Sequence, residues 1–326
     1  GLRVTLVHEL PHALQDQHFA LGQFLGDSRD DGEETARRAL AEGDATRIED
    51  DYVLQVLTDD EQAAYEAEFE DQLEQSEAST GGVPDFLSAS FGVPYALGPP
   101  FVTMLLNDDG NRSVDDAFDE PPSTEEHLFD PASYLLEERA DPPSLGLDDA
   151  EDQGPLGSPN WFLVLAQRVD PDQAFEATLG WAGDRFASYE KDGRTCVRAV
   201  FRGDTEEDEE QMEAALDAWV AAMPAGAATR IEVRRHPGLD SCDPGPDVAI
   251  TLADSSGDLL LLPNTWGYLQ AQVSGSLGPA GSRCFARTML AGLPFARLVD
   301  PARQDELGLE IGRRTAGAYA ACESVP

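Results

Sequence analysis

Apolar residues recur at helical spacing through the first quarter of the chain. Leu6, Val7, Leu10 and Leu14 form one stripe, with Thr5 placed to cap its start. Ala36 and Leu40 open a second pattern, which runs on through Ile48, Tyr52 and Val56. Ala63, Ala64, Ala67 and Phe69 mark a third, whose acidic side reads as a solvated face. Glycine and proline then punctuate residues 81–110, and the spacing predicts a short apolar helix at 101–106. Ser123 and Glu126 fit a capping box, and Asp130-Pro131 closes the helix it starts.

The pattern changes after a polar stretch at 146–160, which marks the expected boundary between domains at 1–150 and 151–326. Short helices are expected at 161–169 and 171–179, and 180–185 reads as a turn. Residues 185–203 alternate on both sides of Asp192-Gly193, the signature of a β-hairpin. Met212, Leu216, Trp219 and Val220 share one face of an amphipathic helix. Strands are expected at 228–234, 248–252 and 259–262, and His236-Pro237 in a loop. The predicted class is α+β: a mainly helical N-terminal domain, then a smaller α+β domain with an antiparallel hairpin.

Composition narrows the setting. The 326 residues carry 63 acidic against 22 basic side chains, a formal net charge of −41, and Lys191 is the only lysine. The acid is spread along the whole chain, which points to adaptation to high salt. No basic face is evident, so nucleic acid is an unexpected partner. No apolar run reads as long enough to span a bilayer. Cys196, Cys242, Cys284 and Cys322 form no C-x-x-C pair; one or two disulfides of an exported protein, in a pairing the spacing leaves open, are the expectation, with free buried thiols the close alternative. Oligomeric state is not legible. The chain opens on Gly1, almost inside its first helix, and reads as a piece of a longer protein, so the absence of a signal peptide or lipid-attachment cysteine says nothing about export, and a missing N-terminal segment is a candidate membrane anchor.

Three of the five histidines lie in the first 18 residues. His8-Glu9-Leu10-Pro11-His12 matches the H-E-x-x-H zincin motif. Histidines at i and i+4 stack on one helix face and can share one zinc ion, while Glu9 can serve as general base toward water there. Pro11 argues against a regular helix, because it has no N–H for the carbonyl of Val7. The helix is therefore expected to begin near His8 or to kink there. Two candidates remain for the third ligand. His18 has metzincin spacing, but Gln15 stands where that motif needs glycine, and a continuing helix turns His18 about 240° away from His12. That makes His18 an alternative ligand or a supporting residue. The other candidate is a carboxylate of the next helix: Glu42 and Glu49 share a face, seven residues apart, while Asp44 is turned from Glu42. Tyr52, Tyr95 and His127 are candidates by type for steadying an oxyanion.

The stretches HELPHALQDQHFALG, RALAEGDATRIE, VPYALGPPFV, DEPPSTEEHLFDPASYL and GWAGDRFASY occur in that order. Together they resemble a family of uncharacterised, exported gluzincin-like metallopeptidases and lipoproteins with a haloarchaeal surface-protein branch. The resemblance covers residues 4–220 and implies a zincin-like fold for 1–150. It implies His8, His12 and Glu42 as zinc ligands and Glu9 as catalytic base. A zinc-dependent peptidase at the cell surface, acting on a peptide or protein substrate, is the implied function. A non-catalytic surface protein on the same scaffold, with structural zinc or none, is the alternative. The sequence departs from its relatives at Pro11 and at Phe129-Asp130-Pro131, where they have a His-Pro pair.

Overall fold

A computed structural model describes residues 1–79, 85–147, 153–245, 259–300, 302 and 304–325. The chain has the α+β architecture its pattern predicts. The helical part comprises α1 (Leu2–Phe19), α2 (Leu21–Gly26), α3 (Asp31–Val56), α4 (Asp59–Ser79), α5 (Asp85–Asp109), α6 (Asn111–Asp119), α7 (Glu126–Phe129) and α8 (Ala132–Leu135). There follow β1 (Gln153–Gly154), α9 (Ser158–Ala166), α10 (Pro171–Leu179), β2 (Trp181–Lys191), β3 (Arg194–Gly203), α11 (Glu206–Ala222), β4 (Ala228–Val233) and β5 (His236–Cys242). The chain closes with α12 (Leu261–Leu290), α13 (Phe295–Leu298) and α14 (Gln304–Cys322).

Helix α3 shows why the first half is helical. The Asp30 carboxylate accepts from the Glu33 N–H at 2.9 Å, and Asp31, Glu33 and Glu34 place negative charge at the positive end of the helix dipole. From there one helix runs 26 residues, past α1 on one side and α5 on the other. Gly43 and Gly98 lie at the α3–α5 crossing. A Cβ on Gly43 would sit 2.5 Å from the Gly98 carbonyl carbon, and one on Gly98 would sit 2.3 Å from the Ala39 oxygen.

Helix α5 corrects the expectation of a short segment at 101–106. It is 25 residues long and passes through Pro94, Pro99 and Pro100. Pro100 cannot donate to the carbonyl of Ala96, and the Asn264 side chain of α12 does so instead at 2.6 Å. Its Phe86–Asp109 part is long and apolar enough to cross a bilayer, the one such helix among the described residues, contrary to the sequence expectation. Most of that span is buried against α3 and α12.

The sheet is antiparallel in the order β1-β2-β3-β5-β4. Asp192 and Gly193, at φ 53° and 72°, turn β2 into β3. Residues 181–185, read above as a turn, begin β2, with a bulge beside Gly183. The buried Asp184 accepts from the Leu156 and Gly157 N–H groups and from the Trp181 indole. His236 and Pro237 open β5 rather than a loop. Residues 259–262 lead into α12 rather than forming a strand, and 248–252 lie outside the described residues. Thr205 and Asp208 form a reciprocal capping box for α11, which covers one sheet face with Met212, Leu216 and Trp219. Disulfides join Cys196 to Cys242, register partners on β3 and β5, and Cys284 to Cys322, between α12 and α14.

One large cluster of buried apolar side chains draws on both halves of the chain. At its middle Phe129, Phe162, Phe175 and Trp266 of α7, α9, α10 and α12 pack at centroid distances of 5.3–5.8 Å. Asp130 is buried beside this cluster. It accepts from Gln270 and Trp266 and pairs with Arg283, all on α12. The Ser123–Glu126 capping box does not form; the Ser123 N–H donates to His127 Nδ1 instead.

Candidate metal centre

Helix α1 starts at Leu2 on an uncapped Gly1 and continues through Pro11 to Phe19. The expected start near His8 and the Thr5 cap are both corrected. So is the direction of its apolar stripe. Leu6, Leu10 and Leu14 are 55%, 61% and 55% exposed, whereas Val4, Pro11 and Gln15 are buried and His8 and His12 half-buried. The helix turns its histidine face, not its leucine face, toward α3. Pro11 falls on that inner edge.

There the structure brings His8, His12 and Glu42 together, with one potential ligand atom from each within 4.8 Å of the others. His8 Nε2 lies 3.4 Å and His12 Nε2 3.5 Å from Glu42 Oε2. The opposite ring nitrogens are already engaged. His8 Nδ1 is 2.8 Å from Glu49 Oε2, and Glu49 Oε1 in turn accepts from the Tyr65 hydroxyl. His12 Nδ1 is 2.9 Å from Gln15 Oε1, and the Gln15 amide donates to the Ala41 carbonyl and to Asp44. Arg47 holds Asp44 at 2.7 Å. Because each Nδ1 faces an acceptor, it carries the proton, and both Nε2 lone pairs point at Glu42. Two lone pairs and a carboxylate facing one point repel each other unless a cation or a proton sits between them.

The electrostatics agree. The Glu42 carboxylate raises the His12 pKa against the opposing effect of burial. Burial pushes Glu42 up, but hydrogen bonding and charge from His12 and His8 outweigh it and leave its pKa lowered. A donor set of two imidazoles and one carboxylate, with each imidazole held from behind, fits zinc and leaves a fourth position for water or substrate.

The remaining candidates divide cleanly. Glu9 is exposed on the same helix, next to His8, and its charge is felt at His12 and Tyr95. The Tyr95 hydroxyl of α5 reaches Glu42 Oε1 at 3.4 Å; burial and then that carboxylate raise its pKa. Glu49 and Asp44 stand behind the histidines. Tyr52 is occupied by Arg3, outside the cluster. His18 is exposed and contacts Phe19. His127 lies elsewhere, buried on α7, with Nδ1 accepting from Ser123 and Nε2 on the Glu138 carbonyl. It borders a cavity of about 950 Å³ with Arg29, Glu125 and Asp184, and burial lowers its pKa.

Two supporting residues escape a sequence reading. Gln15 reads there only as a missing glycine; its position three residues beyond His12, on the same face, is the signal that could reveal it. Tyr65 carries no such local signal, because α4 meets Glu49 only in the folded chain.

A family model described as a domain of unknown function (DUF8575) matches residues 145–249. That stretch holds the five strands with α9, α10 and α11 and leaves the histidine cluster outside. No curated protein and no solved structure matches the chain.

Proposed function

We propose that this chain is a zinc-dependent peptidase of the cell surface, with His8, His12 and Glu42 as ligands. The observation that carries the reading is the convergence of both Nε2 atoms on Glu42 while both Nδ1 atoms are held by Glu49 and Gln15. Zinc bound there supplies Lewis acidity and makes water a nucleophile near neutral pH. Glu9 takes the proton of the attacking water and returns it to the leaving amine. Tyr95 donates its hydroxyl proton toward the developing oxyanion of the peptide carbonyl. Glu49 and Gln15 keep the imidazoles in one tautomer and orientation. Two disulfides and the dispersed acid support a location outside the cell, in salt.

Elemental analysis in molar KCl tests the ligand set. The wild type is expected to hold about one zinc per chain. Glu42→Ala should lose it, while His18→Ala and Glu9→Gln keep it. Glu9→Gln should then lower peptide hydrolysis by roughly 10²–10⁴-fold at unchanged zinc content. A folded wild type without zinc would leave a non-catalytic surface scaffold as the better account. Loss of zinc in His18→Ala would refute the ligand set.

A further inference from the structure

A second group of potential ligands lies where the helical part meets the sheet, away from the histidines. Glu126 opens α7, Glu138 follows α8, and Asp204 stands in the turn from β3 to α11. One carboxylate oxygen from each lies within 4.8 Å of the others.

An acidic cluster alone would be unremarked in so acidic a chain. Glu126 sets this one apart. It is only 4% exposed, and its side chain takes no hydrogen bond or ion pair among the described residues. A buried carboxylate without a partner is costly, and a native structure rarely keeps one without compensation. The nearby cation does not compensate it. Arg283 places its Nε on Asp130 at 2.7 Å and its two terminal nitrogens on Glu138 at 3.0 and 2.8 Å. Asp130 and Glu138 share the single Arg283 charge, which leaves an excess of negative charge where the oxygens of Glu126, Glu138 and Asp204 meet. Each Glu138 oxygen keeps a lone pair free beyond its Arg283 contact. The donor set is all oxygen, with no imidazole or thiolate, which selects a hard cation over zinc. The three carboxylates come from separate segments of the chain, and a site drawn from them suits the flexible coordination of Ca²⁺ better than the strict octahedron of Mg²⁺. The exposed Asp204 supplies the open side through which an ion and its waters enter.

We propose that Glu126, Glu138 and Asp204 form a Ca²⁺ site that pins α7, the segment after α8 and the β3–α11 turn to one another. The site is independent of the histidine cluster and has a structural role.

Calorimetric titration of the chelator-treated full chain with Ca²⁺, in molar KCl, tests it. The wild type should show one saturable site, with Mg²⁺ a weaker competitor. Glu126→Gln should abolish it, and Asp204→Asn, an exposed change that leaves the fold intact, should weaken it by roughly tenfold or more. His8→Ala with Glu42→Ala should leave it unchanged. Thermal melts separate loss of binding from loss of fold. Ca²⁺ should raise the wild-type Tm and not that of Glu126→Gln, which in chelator should melt no lower than the wild type. Absence of saturable Ca²⁺ binding in the wild type overturns the proposal. So does binding that survives both carboxylate substitutions, which would mark diffuse attraction by the acidic surface.

Discussion

At the scale of single residues, the groups behind the ligands set the geometry of the histidine cluster. Gln15 has its oxygen on His12 and its amide on α3, so it fixes where the imidazole points. Gln15→Ala should weaken zinc binding by roughly 10–100-fold in a chelator competition, with little effect from His18→Ala. Equal affinities for wild type and Gln15→Ala would deny it that role. Glu125 shows a different residue-level effect. Burial, then the charges of Asp184, Asp30 and Asp31, push its pKa up to about 8 from an ordinary 4.5. The folded chain therefore holds this proton more tightly than the unfolded one. The stability it confers is complete below about pH 4.5 and is lost as pH rises through about 8. Glu125→Gln should raise Tm at pH 9 by an amount corresponding to a few kcal/mol and leave it nearly unchanged at pH 4.5. Parallel pH profiles for the two proteins would contradict this.

Between elements, the Glu42-Gly43-Asp44 triplet divides its labour. Glu42 faces the histidines, Asp44 anchors Gln15, and Gly43 lets α5 come close enough for Tyr95 to reach Glu42. Gly43→Ala would drive a methyl into the Gly98 backbone, which cannot swing aside. It should cost on the order of 1–3 kcal/mol and weaken zinc binding with it. Gly92 in the same α5 meets only the Leu260 side chain, at 3.6 Å, so Gly92→Ala should stabilise by about 0.5–1 kcal/mol. Denaturant melts of the two variants should shift in opposite directions; a shift of the same sign would remove the crossing as the cause. Helix α5 illustrates a related dependence. Its prolines read locally as breaks, yet a donor from α12 supplies the bond that Pro100 cannot make.

For the whole molecule, the net charge of −41 dominates. Self-repulsion acts over a Debye length of about 10 Å at 0.1 M salt and about 3 Å at 1 M. Raising KCl across that range should raise Tm, on the order of 10 °C. A Tm that is flat or falls with salt would show that repulsion does not limit stability. The same core unites the helical part and the sheet, because α12 returns from the C-terminal half to pack along α5.

How much of this was legible follows from what is local. The helical first half, the α3 and α11 patterns, the turn at Asp192-Gly193 and the i, i+4 histidine pair depend on spacing and on residues next to one another, so the sequence alone determines them. It also determines the charge. Glu42 and Glu49 were both legible as candidates, but only family resemblance singled out Glu42, since one glutamate among so many carries no pattern of its own. Tertiary structure alone decided which face of α1 is buried. Leucines predict an inward stripe, but α3 offers Glu42, Glu49 and Asp44 at that contact, and the histidine face meets them. It likewise decided that α5 runs unbroken, that 259–262 join a helix and that His236 starts a strand. In each case a partner distant in sequence supplies the hydrogen bond or the packing surface, and no local pattern can encode what that partner will be.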